Sequence, residues 1–416
     1  VFKKYIYVLA FVFLIWPNVL QAQTVDLESL LTEAYESNAL IKSVEHRLDS
    51  EESLVSSSYT LEDPMIGISS LDRGSKTRYG VISQKIRFPV KYYLQGKVQK
   101  FKAKSIKSEL IGRRFEIRKQ VITLYYSLFS LQKTIQLTQA NMQAVRDFSR
   151  VAERKYAAGK ATQSDSMKAH VELTRLELEL IRYKQNEQAL NARLAAILNN
   201  PNLSNLKFLG KELKVPKFKS LVLDAPAKVI KAVVKSNSPE LEKEEYLLNA
   251  AETASDLAKW EFAPDIQLQY QERLSGQPEE SRIYSVSLSF PMWFWKKGAE
   301  SSAANSMKLA QSFKLQSKTD LLMAKVIDLK GRVEVGEKTL KIFKTSLIPQ
   351  ALGAYNSSKA SYRANKTSFL DLLDSERSLF KIRTSFYGAL KDFVSDLVEL
   401  ESELGLVVSD LERGAL

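Results

Sequence analysis

The chain carries one pattern twice, and this constrains its fold more than any other feature. YGVISQKIRFPVKYYLQGK begins at Tyr79 and YSVSLSFPMWFWKKGAE begins at Tyr284. Each alternates small or polar residues with apolar ones, reaches Phe-Pro, then aromatics, then Lys and Gly. The match extends outward from there. Pro64 pairs with Pro264 and Glu52 with Glu252 at an offset of 200. Phe88-Pro89 pairs with Phe290-Pro291, and Gly96 with Gly298, at 202. Tyr156 pairs with Tyr362 and Asp165 with Asp371 at 206. An offset that drifts by only six residues between Glu52 and Asp165 means two copies of one structural unit. The Pro- and Gly-broken segment from Asn199 to Pro226 separates them. The expected division is a signal peptide over 1–22, a first repeat over 23–215 and a second over 216–416.

Each copy reads as helix, strand, loop, strand, long helix, tight turn, helix. Ile266, Leu268 and Tyr270 alternate with glutamines, and Tyr284, Val286, Leu288 and Phe290 alternate with serines. Period two with one apolar and one polar face predicts strands. In the first copy Ile82, Ile86 and Phe88 oppose Ser83, Lys85 and Arg87, while Pro64–Leu71 is a weaker strand. DRGSKTR and ERLSGQPEESR read as the hairpin loops. Between Lys91 and Tyr156 there is no proline, so one helix on the order of 100 Å long is expected. Its counterpart after Lys296 has one expected kink, at Pro349. The returning helices carry heptads: Leu173, Leu176, Leu180, Tyr183, Glu187, Leu190, Leu194 and Ile197 in the first, and Phe369, Leu372, Glu376, Leu379, Arg383, Phe386, Leu390, Phe393 and Leu397 in the second.

A water-soluble sheet hides its apolar face under a second layer. Here coiled-coil helices flank each strand pair directly, and no segment is left to cover it. The apolar face suits lipid and the Ser/Gln face a watery lumen, the alternation of a transmembrane β-barrel. Four strands cannot close a barrel, and open edges are not tolerated in lipid. Several chains must therefore share one barrel. Pro89 and Pro291 end strands, since proline cannot donate to a ladder. Tyr92, Tyr93, Trp293, Phe294 and Trp295 follow where strand leaves lipid, an interface that aromatics favour; an ordinary core cluster is the other reading.

At the N-terminus Lys3 and Lys4 precede the apolar run Tyr5–Trp16, and Ala22 suits a cleavage site. This reads as a secretory signal peptide. Twelve apolar residues fall short of the ~20 that a spanning helix needs. The chain has no cysteine, which excludes disulfides, thiolate metal sites and a cysteine nucleophile. Two histidines, His46 and His170, do not make a histidine metal centre, and the six methionines are scattered. Neither a nucleophile–base set nor a phosphate loop is visible; AAGKATQS lacks the upstream glycine. The reading is therefore not an enzyme, and no cofactor or bound metal is expected. The net charge of +13 is spread over helix faces rather than gathered into a basic block, so no nucleic acid is expected as partner.

These features resemble the TolC-like outer-membrane efflux family over nearly the whole mature chain. The likeness rests on the duplication, the strand–Pro–aromatic–Gly junctions, and Tyr-x-x-Gly/Asn followed by Asp at both helical turns. Within the family, DPMIGIS and the run Gln84, Ile86, Phe88, Pro89, Lys91 look most like the heavy-metal cation efflux branch. The resemblance implies a mainly α fold with transmembrane β. It implies a homotrimer with a 12-stranded barrel in the outer membrane of a Gram-negative bacterium, and an α-helical tunnel through the periplasm. A periplasmic adaptor and an inner-membrane pump of the RND type would complete the path, with outer-membrane lipid around the barrel. Carried over by position, Asp371 and Asp374 would form acidic rings at the periplasmic mouth, and Asp165 and Tyr362 would help hold it shut. Where the family can place an arginine, this chain has Thr367 beside Lys366, which puts the closed-state linkage in question. Repeated carboxylates at a narrow mouth would favour cations; the competing reading is that both aspartates simply favour a helix N-terminus. Two other functions stay open: the same duct serving drug efflux or type I protein secretion, and a soluble periplasmic coiled-coil protein.

Overall fold

The computed structural model describes residues 26–70, 77–159, 162–201, 226–275 and 282–411, with isolated positions between 203 and 217. The expected signal peptide and most of the expected boundary between repeats lie outside the described residues. The first half runs α1 (Leu27–Ser37), α2 (Ala39–Ser58), β1 (Met65–Ser70), β2 (Arg78–Ile86), α3 (Pro89–Ala157) and α4 (Gln163–Ile197). The second runs α5 (Ala227–Asn237), α6 (Pro239–Trp260), β3 (Asp265–Ser275), β4 (Arg282–Ser289) and α7 (Phe294–Ile342). A π-helical turn (Phe343–Leu347), α8 (Ile348–Arg363) and α9 (Phe369–Leu404) complete it.

The opening helix of each copy is in fact two helices. Asn38 leaves helical geometry at ψ 122°, and its side chain caps the amides of Leu40 and Ile41. Ser238 breaks the second copy at ψ 116°, with Pro239 opening the next helix without needing an N–H partner. α3 is 69 residues long, about 100 Å. In the second copy the kink expected at Pro349 takes the form of the π-turn just before it. Proline lacks the amide that would continue the ladder and crowds the carbonyl four residues back, so the turn widens.

The four strands form one antiparallel sheet in the order β1-β2-β3-β4. Pairing of β2 with β3 joins the two repeats. The second loop is shorter than expected, because Glu272–Ser275 continue β3 against Arg78–Gly80. The register decides what each face carries, since directly opposed residues share a face. Ile66, Ile82, Tyr270 and Tyr284 form one row. Gln84, Leu268 and Val286 form the next, and Ile86, Ile266 and Leu288 the third. The opposite face gathers Ser83, Gln269 and Ser285, then Lys85, Gln267 and Ser287. One face is thus nearly all apolar and the other mostly polar. The apolar face is bare: Ile66 is 80% exposed and Val286 72%. No described helix is long and apolar enough to cross a membrane.

The main core lies in the helices, where Leu27, Val121, Phe129, Leu329, Phe393 and Leu397 are among its fully buried members. Arg118 and Glu401 form an ion pair of 2.6 Å inside it. The second Glu401 oxygen accepts the amides of Val408 at 2.8 Å and Ser409 at 2.7 Å, so this buried carboxylate is well satisfied. Gly405 ends α9 with φ +67°, and a Cβ there would sit 2.1 Å from the Asn237 carbonyl.

The exposed apolar rows generate a direct test. Val286→Asp with Leu288→Asp leaves the helical core untouched and puts charge on the exposed apolar face. On a lipid-facing position an acid is destabilising, though by less than the ~2–4 kcal/mol of a midplane Lys or Arg. The double variant should keep its helical circular dichroism and lose extraction with the membrane fraction. Normal membrane assembly would mean that this face does not meet lipid.

Candidate functional site at the helical mouth

The helix tips opposite the sheet are built the same way in both repeats. Gly159 and Asn365, offset by 206, both take left-handed backbone at φ 66° and 58°. The amides of Ala158 and Ala364 donate to carbonyls four residues back, at 3.1 Å in both. Such a cap suits Gly first and Asn next. Each turn then opens a helix with an acid in its first turn: Asp165 in α4 and Asp371 in α9.

The two aspartates at α9 differ in what they do. Asp371 closes a capping box, accepting the Ser368 amide at 3.1 Å while its own amide donates to Ser368 Oγ at 3.1 Å. Asp374 is exposed and stands 3.7 Å from Arg377. Asp371 is exposed as well, so both carboxylates border solvent at the tip.

Tyr362 is buried at the tip, with its ring edge-on to Phe369 at 5.9 Å. Burial, then the nearby Asp165 carboxylate, holds its phenol above the usual range. Sequence reasoning thus placed two residues that the fold brings together. It missed what holds Tyr362. The cation comes from α3: Lys155 Nζ lies 3.7 Å above the Tyr362 ring and donates to the Tyr362 carbonyl at 2.7 Å. Lys366, the basic residue beside the expected arginine position, is exposed. Lys155 therefore ties the end of α3 to the end of α8, by hydrogen bond and by cation–π attraction. Tyr156, the repeat counterpart of Tyr362, is exposed in the single chain.

Just inside the tip, Met142, Val145, Leu176, Phe369, Leu372 and Leu373 pack α3, α4 and α9 together. Two acids are buried among them. Glu172 on α4 accepts Arg377 of α9 through Nε at 3.1 Å and through a second short contact, and it also holds Arg175. Burial works to raise this carboxyl, but the hydrogen bonds from Arg175 and Arg377 hold it below the usual carboxylate range. Glu376 occupies a heptad core position, and its Oε2 has no hydrogen-bond partner. Burial, then repulsion from Glu172, pushes it up to about 7, with the Asn141 amide working the other way. The heptad was the signal in the sequence: an acid at a core position has to be neutral or paired. Among the described residues no three His, Cys, Asp or Glu side chains stand together so as to hold a metal ion.

The strand–helix junctions carry the other expected residues. Pro89 is the first residue of α3, and Pro291 lies between β4 and α7. Tyr92 is half-buried, and its phenol oxygen accepts the Arg87 amide at 3.0 Å, which closes the turn. Tyr93, Trp293, Phe294 and Trp295 are exposed, the last three packed edge to face at 5.1 and 5.2 Å. Lys91 is buried across the repeat boundary. Its Nζ donates to Asp265 Oδ1 at 2.7 Å and to the Ala263 carbonyl at 2.8 Å. Arg87 reaches Glu261 at 2.6 Å beside it.

Comparison with known proteins now adds a family. Residues 97–200 match the family described as outer membrane efflux protein. The cobalt-zinc-cadmium resistance protein CzcC of Cupriavidus metallidurans is 22% identical over 382 residues, covering 91% of this chain and 90% of that protein. The outer-membrane channel OprN superposes with a TM-score of 0.79 at 15% identity, covering 91% of this chain and 89% of its own. CusC, whose structures concern transmembrane channel formation, superposes at 0.78 with 14% identity and 92% of both chains. The family that the sequence resembles is the one whose model matches residues 97–200, and the fold is that of these channels.

Glu376 gives a pH prediction. Its carboxyl is raised in the fold, so its contribution is fully present below about 4.5 and is lost as pH rises through about 7. A shift of that size corresponds to on the order of 3 kcal/mol. The wild-type protein should melt at a lower temperature at pH 8 than at pH 5, and Glu376→Gln should flatten this difference. An unchanged pH profile in the variant would show that Glu376 does not carry it.

Proposed function

We propose that this chain, an outer membrane efflux protein by its family match and its fold, forms a passive exit duct that carries metal cations from the periplasm to the outside. The observation that carries the reading is the sheet. It has one apolar face, one polar face and two open edges, at the end of helices about 100 Å long. Such a sheet is complete only as part of a closed barrel, and a homotrimer with 12 strands is the assembly proposed. The helices then form the tunnel wall, with a periplasmic adaptor and an RND-type inner-membrane pump as its partners.

The cargo assignment rests on two supports: the similarity to CzcC over 91% of the chain, and the exposed carboxylates of Asp371 and Asp374 at the tip. Threefold repetition would turn each aspartate into a ring, and rings of carboxylates favour cations. Capping by Asp371 is compatible with this, because its carboxylate remains exposed. Tyr362, with Asp165 beside it and Lys155 across its ring, would act as the latch of the closed mouth. Tyr93, Phe294 and Trp295 would lie at the membrane interface.

Three outcomes test this reading. A deletion strain should lose tolerance to divalent metal ions and keep tolerance to dyes, detergents and antibiotics. Broad drug sensitivity, or a lost secreted protein, would keep the duct and discard the metal assignment. In planar bilayers, Asp371→Ala with Asp374→Ala should reduce cation over anion selectivity several-fold, whereas unchanged selectivity would leave the pair as helix-terminal acids. Lys155→Ala should raise the open probability, since the lost contacts are worth about 1–2 kcal/mol. No change would remove Lys155 from the latch.

A further inference from the structure

The duplication lets a seam inside the chain describe one that the single chain does not contain. Within the chain, β2 pairs with β3 and α3 packs along α6, which joins repeat one to repeat two. In the ring proposed above, on which this inference rests, β4 and α7 meet β1 and α2 of the next copy in the same relation. The repeat offsets therefore give residues of the internal seam counterparts in the seam between copies, though at the junction Lys91 lies in the first turn of α3 and Trp293 just before α7.

The counterparts differ in chemistry, and they differ in pairs. Lys91 corresponds to Trp293 at the offset of 202, and Asp265 to Met65 at the offset of 200. Arg87 corresponds to Ser289, and Glu261 to Leu61, by the same offsets. Both members of the Lys91–Asp265 ion pair have been replaced together, by an aromatic and a thioether. Exposure matches this reading. Lys91 is 1% exposed because its partner is present, while Trp293 and Met65 are each 64% exposed in the lone chain. Leu61 is also exposed.

We propose that the seam between copies is closed by an apolar clasp, with Trp293 of one copy seated against Met65 and Leu61 of the next. Apolar contact suits this seam for a physical reason. The Lys91–Asp265 pair forms during folding of one chain, whereas charges at a subunit seam would be desolvated during assembly. Burying Trp and Met gains free energy at that same step, and sulfur packs well on aromatic rings. The chemical difference also fixes the order of repeats. Repeat one against repeat one would bury Lys91 beside Met65, and repeat two against repeat two would bury Asp265 beside Trp293. Each leaves a charge without its partner, so only alternation around the ring is favourable.

The test is a charge exchange read on the detergent-extracted full chain. Wild type is first weighed by native mass spectrometry, and the temperature at which its oligomer dissociates is then measured on gels. Trp293→Lys alone and Met65→Asp alone should each lower that temperature. The two together should recover most of the loss, because the seam between copies then repeats Lys91–Asp265. Additive losses in the double variant, or no loss in Trp293→Lys, would overturn the clasp and leave the ring standing. A monomeric wild type would overturn ring and clasp together. If the charged variants fail to assemble at all, Trp293→Leu and Trp293→Ser replace them. The clasp requires the first to keep the oligomer's heat resistance and the second to lose it; equal behaviour overturns it, as for a tryptophan that only faces lipid.

Discussion

An apolar sheet face that no described residue covers governs this molecule. In water it would be a large liability, and at a sheet edge it would invite aggregation. Among the described residues no helix packs as a layer over it. Lipid on one side, water on the other and further strands at both edges resolve the problem together. The long helices follow from the same constraint. They carry the strands at one end and reach helix tips about 100 Å away at the other.

Charge inside the bundle is handled in two ways. Arg118–Glu401 and Lys91–Asp265 are paired and further hydrogen bonded, so they lock elements together at modest cost. Glu376 is the contrast, buried near the mouth with an oxygen that finds no partner and a second acid, Glu172, close by. The Tyr362–Lys155 contact, between α8 and α3, lies at the same end, so the unsatisfied acid and the proposed latch residues share one end of the molecule. In the proposed duct this end is the moving part, and a part that opens is drawn from the less stable elements.

Much of this was legible in the sequence, for physical reasons. Period two and period 3.5 are direct consequences of strand and coiled-coil geometry, so Ile266–Tyr270 and the α9 heptads announced themselves. The 206-residue offset even placed Gly159 against Asn365, the two left-handed caps. What escaped was everything that depends on contact between distant segments. Lys155 lies far from Tyr362 in the chain, and nothing local marks it as the cation on that ring. For Tyr92 the sequence offered an interface aromatic but not the hydrogen bond from the Arg87 amide that holds its phenol in the turn. Pro349 was visible as a helix breaker, but whether the ladder kinks or widens depends on packing around it. The role of Lys91 appeared only when the two repeats were seen side by side.

The most direct test of the account uses the absence of cysteine from the chain. Inside the sheet Gln84 faces Leu268. The repeat offsets then place Val286 of one copy opposite Ile68 of the next. Ile68→Cys with Val286→Cys, oxidised in the membrane, should give covalent products that end at a closed trimer on a denaturing gel. A monomer alone, from protein whose strands are intact, would contradict the shared barrel, and a ladder continuing past three chains would contradict its closure as a trimer.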